Sequence, residues 1–286
     1  MQTAKTVLEV IHRRGMEGKT LERLYRQLFN EEIYLNAYAE IYSNKGGLTR
    51  GISEETIDAM SVKRIHSIIK RLRTETYRWK PTRREYIPKK DSKKRPLGIL
   101  SGDDKILQAV LKTLLEAYYE PQFSDRSHGY RPNKGCHTAL QQIGRKHHTV
   151  SWFIEADIRG CFDNIDHDIL IDILSDKIKD GRFIRLLKHL MKAGYVEDWK
   201  WHKTYSGTPQ GGIISPLLSN IYLNELDIWV EKELMPEYNR KPKSGRKKMN
   251  PKYKHYQRKR SNAKKQGDWK SYKHYGNLMK SLPTTI

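Results

Sequence analysis

Residue types that could act on a phosphate ester lie in three short segments of this sequence, and the first is EADIRGCFDNI. The run SWFIEADI at 151–158 predicts a short buried strand that delivers Asp157 near its carboxyl end. A carboxylate in that place can hold Mg²⁺, which takes one or two protein carboxylates together with substrate phosphates. The backbone N–H groups of Gly160 and Cys161 could then face a phosphate. The alternative is that Asp157 caps a turn and that the aromatic residue after it belongs to the core.

The second segment is the glycine-rich loop SGTPQGG at 206–212. Its glycines, which surround Pro209 and Gln210, allow a substrate to approach the backbone closely. A helix is predicted to begin here, and helix N-termini favour anions. The amide of Gln210 can donate to or accept from a base, a sugar or a phosphate. The alternative is an ordinary loop before a helix.

The third segment contains Lys89 and Arg95, six residues apart across a polar turn. Two cations on facing arms of a hairpin can clamp a triphosphate, and an arginine can bind it through two parallel N–H groups. A basic turn exposed to solvent is the alternative.

Local patterns predict the elements that position these side chains. Short β-prone runs on either side of the polar turn predict a hairpin over 84–100. A long helix is predicted over 213–234, directly after the glycine-rich loop. Ser53, which is followed by Glu54 and Glu55, is predicted to cap the N-terminus of a helix earlier in the chain. The alternation of aromatic residues at 198–207 predicts a strand or a hairpin.

Composition restricts the class of protein. The 286 residues are 37% hydrophobic and 31% charged, which predicts a globular chain with a highly charged surface. The formal net charge of +22 indicates a polyanionic partner, with nucleic acid as the first candidate and an anionic membrane surface as the second. A basic protein without such a partner is the third interpretation.

The two cysteines and the absence of a CxxC pattern exclude a disulfide scaffold and a cysteine zinc cluster. No signal peptide and no apolar run of membrane-spanning length are seen, so the expected location is the cytoplasm, with no membrane partner.

The basic charge is concentrated from Arg240 to the end of the sequence, where there are sixteen lysines and arginines and one acidic residue, Asp268. Two charged helices are predicted at about 252–265 and 268–281, forming a hairpin broken at Gly267. Aromatic residues that lie among cations could stack on bases or could simply pack, and they are Trp199, Trp201, Tyr253, Tyr256, Tyr272 and Tyr275.

Taken together and in this order, the segments resemble the reverse transcriptases encoded by group II introns. The stretches that carry the resemblance are IPKKDSKKRPLGIL, HGYRPNKGCHTAL, FIEADIRGCFDNIDH and GTPQGGIISPLLSNIYLNELD, within residues 20–230. The helical stretch at 24–61 resembles the element that such enzymes have ahead of the fingers. The resemblance implies an α+β right-hand polymerase fold with mostly helical fingers, a β-hairpin and a small, incomplete palm sheet.

The implied domains are an N-terminal helical extension of the fingers (1–80), fingers with the hairpin (81–150), a partial palm (151–234) and a basic insertion or tail (235–286).

The resemblance also implies roles for individual residues. Asp157 would be the catalytic, metal-binding aspartate, with the carbonyl of Ile158 as a further ligand. Phe162 would lie under the incoming sugar and exclude a 2′-hydroxyl group. The remaining implied nucleotide-binding residues are Lys89, Arg95, Gly160, Cys161 and Gln210, and the template–primer residues are Pro209 and Gly211.

The chain departs from the family at one point, because no Tyr-x-Asp-Asp sequence occurs in it. A two-metal mechanism needs carboxylates from the Asp157 segment and from a Tyr-x-Asp-Asp motif to hold two ions roughly 4 Å apart. We therefore expect an incomplete Mg²⁺ site in a truncated fragment that binds RNA but does not polymerise, whereas the full-length parent is an RNA-directed DNA polymerase and splicing maturase.

The implied partners are group II intron RNA, an RNA template with a DNA primer, and dNTP, in a bacterial cytoplasm. The exposed palm face leaves a homodimer as one expected state. The residues expected to contact RNA phosphates are Lys45, Arg50, Arg246, Lys247, Lys248, Arg258, Lys259 and Arg260. The alternatives are a non-intron bacterial reverse transcriptase of the retron or diversity-generating type and a purely RNA-binding splicing cofactor.

Overall fold

The computed structural model describes residues 2–43, 46–88, 94–146, 154–208, 211–238 and 249–284. The chain divides into two compact units, Met1–Lys232 and Glu233–Ile286. Helices predominate and the first unit contains a small sheet, so the predicted α+β class with mostly helical fingers and a β-hairpin is confirmed. Among the described residues, no helix has the length and apolar character needed to cross a membrane.

The first unit is built mainly of α-helices joined by short loops and 3₁₀ turns. These helices are α1 (Ala4–Met16), α2 (Glu31–Tyr42), α3 (Val62–Arg73), α4 (Gly102–Tyr119), α5 (Cys136–Lys146), α6 (His167–Lys177), α7 (Gly181–Met191) and α8 (Ser215–Trp229). The predicted long helix over 213–234 is therefore confirmed as α8, which continues into a π-helical turn at Val230–Leu234.

Helix α4 is the centre of the first unit. It has apolar residues on all sides, as a fully buried helix requires, and α1, α2 and α8 pack against it. Its first turn is also buried although it carries Asp103 and Asp104. The carboxylate of Asp103 accepts hydrogen bonds from Arg64 Nε at 2.6 Å and from Arg71 Nη2 at 2.5 Å. These two bonds compensate for the burial of its charge.

Among the described residues, Asp104 forms no ion pair of this kind, although the charge of Lys80 is near enough to lower its pKa. The Asp104 carboxylate accepts hydrogen bonds from the Tyr77 hydroxyl at 2.7 Å and from the Lys80 backbone N–H at 3.1 Å. Burial raises the pKa of this carboxyl to about 6, and the two hydrogen bonds work in the opposite direction. Asp104 thereby fixes the segment that leads into the sheet.

The sheet contains β1 (Thr82–Pro88), β2 (Lys94–Ile99), β3 (Tyr195–Glu197) and β4 (Lys200–His202), in the spatial order β2-β1-β3-β4. The first two strands form the predicted antiparallel hairpin, with Arg95 opposite Ile87. β1 pairs in parallel with β3, and β3 pairs with β4 as a second hairpin, which confirms the prediction from the aromatic alternation. Because side chains alternate along a strand, Arg95 points to one face of the sheet and Arg84 to the other.

Two predictions about local structure are wrong. Residues 154–158, the described part of the predicted strand, form no strand, and Ile154 is 90% exposed. A strand needs the N–H and C=O groups of a neighbour, and among the described strands none pairs with this segment. The helix predicted to begin after Ser53 begins after Ser61, whose Oγ accepts from the backbone N–H of Arg64 at 3.2 Å.

The second unit is a helical hairpin. It contains α9 (Met235–Tyr238), α10 (Pro251–Lys265) and α11 (Trp269–Lys280). A turn at Gly267, where φ is +73°, joins the two long helices, so the predicted break at this glycine is confirmed. The rings of Tyr256 and Tyr275 stack between the helices with centroids 6.2 Å apart. Packing therefore accounts for two of the tyrosines that lie among cations.

Candidate nucleotide and nucleic-acid site

The first motif forms a tight turn held by its own backbone hydrogen bonds. Gly160 has φ of +61°, a left-handed conformation that glycine adopts without strain, and a 3₁₀ turn follows at Cys161–Asp163. The carbonyl of Gly160 accepts the N–H groups of Asp163 at 2.9 Å and Asn164 at 3.1 Å. The local backbone bonds thus fix the orientation of Phe162, which is half-buried in the middle of the turn.

The glycine-rich loop docks on this turn through its backbone. Gly207 N–H donates to the Ile165 carbonyl at 2.7 Å, and Thr208 N–H donates to the Phe162 carbonyl at 2.8 Å. The carbonyl of Gly207 lies 2.7 Å from Nε2 of the buried His167. Gly207 has φ of +83°, and a Cβ atom on it would lie 2.6 Å from the Phe162 carbonyl oxygen. A glycine is therefore required where the two motifs meet.

The same loop also approaches the β1–β2 hairpin. Gly211 has φ of +102°, and a Cβ atom on it would lie 2.4 Å from the carbonyl oxygen of Gly98 in β2. Gly98 lies three residues after Arg95 on this strand. The loop at 206–212 thus contacts both other motifs, and the three segments that the sequence singled out come together in space.

A cavity of about 350 Å³ lies on the Arg84 face of the sheet. Its walls include Arg84, Gly98 and Tyr195 from the strands, and Lys203 and Tyr205 from the segment before the glycine-rich loop. This volume falls within the range of small-ligand sites.

The sequence pattern did not reveal Tyr130 as a neighbour of Phe162. The two rings pack edge to face with centroids 6.3 Å apart, and Tyr130 is 68% exposed with φ of +55°. The one feature of the sequence that could have indicated a functional role for Tyr130 is its position in the polar loop SHGYRPNKG. Arg131, the next residue, is structural, because its buried guanidinium donates to the Glu120 carboxylate at 2.8 Å and to three backbone carbonyls.

Asp157 and Ile158 lie in the irregular segment before the turn, and Asp157 is exposed. Within the described ranges, no group of three or more His, Cys, Asp or Glu side chains is placed to hold a metal ion. One carboxylate and one carbonyl fit a Mg²⁺ ion that takes its remaining ligands from substrate phosphates and water. The donor set therefore fits part of a two-metal site.

Seven of the predicted site residues lie outside the described residues, and they are Lys45, Lys89, Pro209, Gln210, Arg246, Lys247 and Lys248.

The basic loop that contains Arg50 is held by a buried lysine. Lys105 Nζ donates to the carbonyls of Gly47 at 2.7 Å and Thr49 at 2.6 Å, and it lies 3.2 Å from the carbonyl of Gly46. Burial lowers the pKa of this ammonium group. The carbonyl of Arg50 accepts a hydrogen bond from the Arg83 guanidinium at 2.8 Å. The side chain of Arg50 is exposed.

In the second unit, the three predicted RNA contacts differ in their surroundings. Arg260 is half-buried, donates to the Tyr272 hydroxyl at 2.9 Å and lies over its ring at 4.3 Å. Arg258 and Lys259 are exposed. Arg260 therefore supports the helical hairpin, whereas its two neighbours are open to a polyanion.

Comparison with known proteins identifies relatives of the chain. The family "Reverse transcriptase (RNA-dependent DNA polymerase)" matches residues 87–248. The group II intron-encoded protein LtrA of Lactococcus lactis subsp. cremoris is 51% identical over 233 residues, which cover 80% of this chain and 39% of LtrA. An uncharacterized 91 kDa protein in the cob intron of Schizosaccharomyces pombe is 41% identical over 268 residues, which cover 92% of this chain and 33% of that protein.

These matches span less than half the length of either relative. Among solved structures, a chain of a partial Cas6-RT-Cas1–Cas2 complex superposes with a TM-score of 0.49 and 21% identity, covering 73% of this chain and 35% of that one.

Proposed function

The chain belongs to the reverse transcriptase family, in the group encoded by group II introns, and we propose that it forms the nucleotide and template side of an RNA-directed DNA polymerase site that also serves splicing. The observation that carries the proposal is the meeting of three motifs at the glycine-rich loop. Hydrogen bonds from Gly207 and Thr208 hold the loop to the Phe162 turn, and Gly211 lies against β2.

The residues divide the work by chemistry. Lys89 and Arg95 bind the triphosphate, and the guanidinium of Arg95 offers two parallel donors to it. The ring of Phe162, held in its turn by backbone bonds, lies under the sugar and excludes a 2′-hydroxyl group. Gln210 contacts the nucleotide, and Gly211 lets the template–primer approach.

Reverse transcriptases generally use Mg²⁺, and Asp157 with the Ile158 carbonyl would hold one ion here. The bound ion would neutralise charge on the phosphates and favour ionisation of the attacking hydroxyl group. The sequence contains no Tyr-x-Asp-Asp, so this chain holds one of the two carboxylate positions. We therefore propose that the chain alone binds RNA without polymerising.

The partners that follow are group II intron RNA, a template–primer duplex and dNTP. The basic second unit and the loop carrying Arg50 contribute phosphate contacts, so affinity should fall steeply with salt. The proposed location is the bacterial cytoplasm, and the 51% identity to a protein of Lactococcus lactis supports the bacterial part of this proposal.

Primer extension tests the polymerase proposal. In a longer protein that joins this sequence to a Tyr-x-Asp-Asp region, Asp157→Asn should abolish extension with Mg²⁺ while assistance to splicing survives. Asp172→Asn is the matched control, because this exposed carboxylate lies in the middle of α6, outside the motif segments. Extension by the Asp157→Asn protein at the rate of the control would refute the assigned role.

RNA binding is tested on this chain by filter titration at moderate salt. Tighter binding to a group II intron RNA than to random RNA of equal length is expected. Equal affinity for the two would contradict the maturase role.

A further inference from the structure

The second hairpin of the sheet ends in an unusual turn. Asp198 and Trp199 form the two-residue connection between β3 and β4, with φ of +50° and +63°. Two positive φ values define the turn that normally carries Asn-Gly or Asp-Gly. A side chain in this conformation is strained, and the indole of Trp199 is nevertheless 99% exposed. Glycine would adopt this backbone conformation without strain, so the stability of the turn does not explain why a tryptophan occupies this position.

The surface behind this tip is aromatic and basic. Trp201 in β4 is 56% exposed and Tyr205 is 79% exposed, and the Lys203 ammonium group lies 4.8 Å from the centre of the Tyr205 ring. On the neighbouring face, the Arg84 guanidinium lies 3.4 Å from the centre of the Tyr195 ring, which stacks on His202 at 5.0 Å. By the strand register, Trp201 lies on the face opposite Tyr195, so the flat groups on the cavity side of the hairpin are Tyr195 and His202, with Tyr205 beside them in the cavity wall.

The cavity itself contains an unused polar group. Thr208, one of its lining residues, is 3% exposed, and its hydroxyl has no hydrogen-bond partner among the described residues. A buried hydroxyl without a partner costs free energy, which a ligand with hydrogen-bonding edges would recover. The charged groups at the cavity are Arg84, Lys203 and one carboxylate, Asp163, and Arg84 also pairs with Glu197 at 3.6 Å.

We propose that the tip of the β3–β4 hairpin, the Lys203–Tyr205 pair and the adjacent cavity bind unpaired nucleotides of single-stranded RNA. Bases have flat faces for the exposed rings and polar edges for the cavity, and phosphates suit the lysines of a chain with a net charge of +22. This proposal rests on the proposed function, since it assigns the place where such a protein holds unpaired RNA. Asp163, Gly207 and Thr208 also line the cavity, so this site adjoins the Phe162 turn and the glycine-rich loop, whereas Arg95 lies on the opposite face of the sheet.

The test uses a labelled oligouridylate, which does not pair with itself, and a blunt RNA duplex. Trp199→Gly is the informative variant, because glycine suits the left-handed conformation and the fold should melt no lower than the wild type. Loss of one stacked base should weaken oligouridylate binding by roughly 5- to 150-fold while leaving duplex binding within about twofold. Tyr205→Ala should act in the same direction, since its exposed ring contributes little to packing.

Trp229→Ala is the matched control, because this half-exposed tryptophan ends α8 outside the sheet. It should leave both affinities unchanged. Oligouridylate should also quench tryptophan fluorescence in the wild type, and this quenching should be mostly lost in Trp199→Gly.

The possible outcomes show whether the hairpin site, or the proposed function as well, is wrong. If the wild type binds intron RNA but Trp199→Gly binds oligouridylate as tightly as the wild type, the site proposed here is refuted and the proposed function stands. If Trp229→Ala loses as much affinity as Trp199→Gly, the effect is not specific to the hairpin and this site is again refuted. If the wild type binds neither intron RNA nor oligouridylate, both proposals fail.

Discussion

Replacement of Gly207 by alanine should separate the glycine-rich loop from the Phe162 turn. The added Cβ would lie 2.6 Å from the Phe162 carbonyl oxygen and 2.8 Å from both Cα and the carbonyl oxygen of Asp163. All three atoms belong to backbone, so no side-chain rotation can relieve the overlap. The φ of +83° adds strain that costs an alanine about 1–2 kcal/mol.

The loop must therefore move, and movement breaks hydrogen bonds. Those at risk are Gly207 N–H to the Ile165 carbonyl, Thr208 N–H to the Phe162 carbonyl and the bond between His167 and the Gly207 carbonyl. Each contributes about 1 kcal/mol net, so a variant that loses all three bonds should be less stable by roughly 3 kcal/mol. For a unit of this size, that corresponds to a melting temperature lower by about 6–12 °C.

Thermal unfolding followed by circular dichroism measures this loss. Gly144→Ala provides the control, because Gly144 is exposed in α5 and has nothing within 4 Å of its would-be Cβ. Alanine there should keep the melting temperature or raise it, since alanine favours helix by about 1 kcal/mol over glycine. A Gly207→Ala protein that melts with the wild type would show that this contact does not hold the motifs together.

Three further outcomes are expected. The pKa of about 6 for the buried Asp104 lies above its ordinary value, so the folded state binds the extra proton below pH 6 and stability falls as pH rises through that value. Relative to Asp104→Asn, the wild type should lose about 1 kcal/mol between pH 5 and pH 7.5 in urea unfolding, and parallel pH profiles would contradict this. Lys105→Met should speed amide hydrogen exchange in residues 46–49 and weaken RNA binding, whereas unchanged exchange would show that the lysine does not hold the loop. Arg260→Ala should destabilise the helical hairpin of the second unit, because its guanidinium bonds to Tyr272. Arg258→Ala should weaken RNA binding and leave the melting temperature unchanged, because Arg258 is exposed. Identical melting temperatures for the two variants would contradict the structural role of Arg260.

The sequence predicted those elements whose determinants are local. The β1–β2 hairpin follows from β-prone runs around a polar turn, and α8 from a continuous apolar face after the glycine-rich loop. The break between α10 and α11 follows from Gly267, which adopts the left-handed conformation that ends a helix. In each case, the residues that decide the structure lie within the element or next to it.

Elements that depend on distant partners were not predictable. Ser53 and Ser61 are equally good caps by residue type, and the start of α3 is fixed by Arg64, which must reach Asp103 in α4. The segment 154–158 has the composition of a strand, but pairing requires a neighbour, and the described strands offer none. The packing of Tyr130 on Phe162 likewise joins residues that no local pattern connects.

The way in which the motifs are joined explains why the sequence could single out the motifs without giving their geometry. Hydrogen bonds between backbone N–H groups and carbonyl oxygens join the glycine-rich loop to the Phe162 turn. At Gly207 and Gly211, the loop lies so close to the Phe162 turn and to β2 that a Cβ atom would not fit. Backbone makes most of these contacts, and the His167 and Ser206 side chains add bonds to the carbonyls of Gly207 and Asp163. Substitutions at the glycines should therefore change the architecture, whereas substitutions at the charged and aromatic residues should change binding at a preserved fold. The contrast between Gly207→Ala and Trp199→Gly tests this division directly, since the first should lower stability and the second should lower affinity alone.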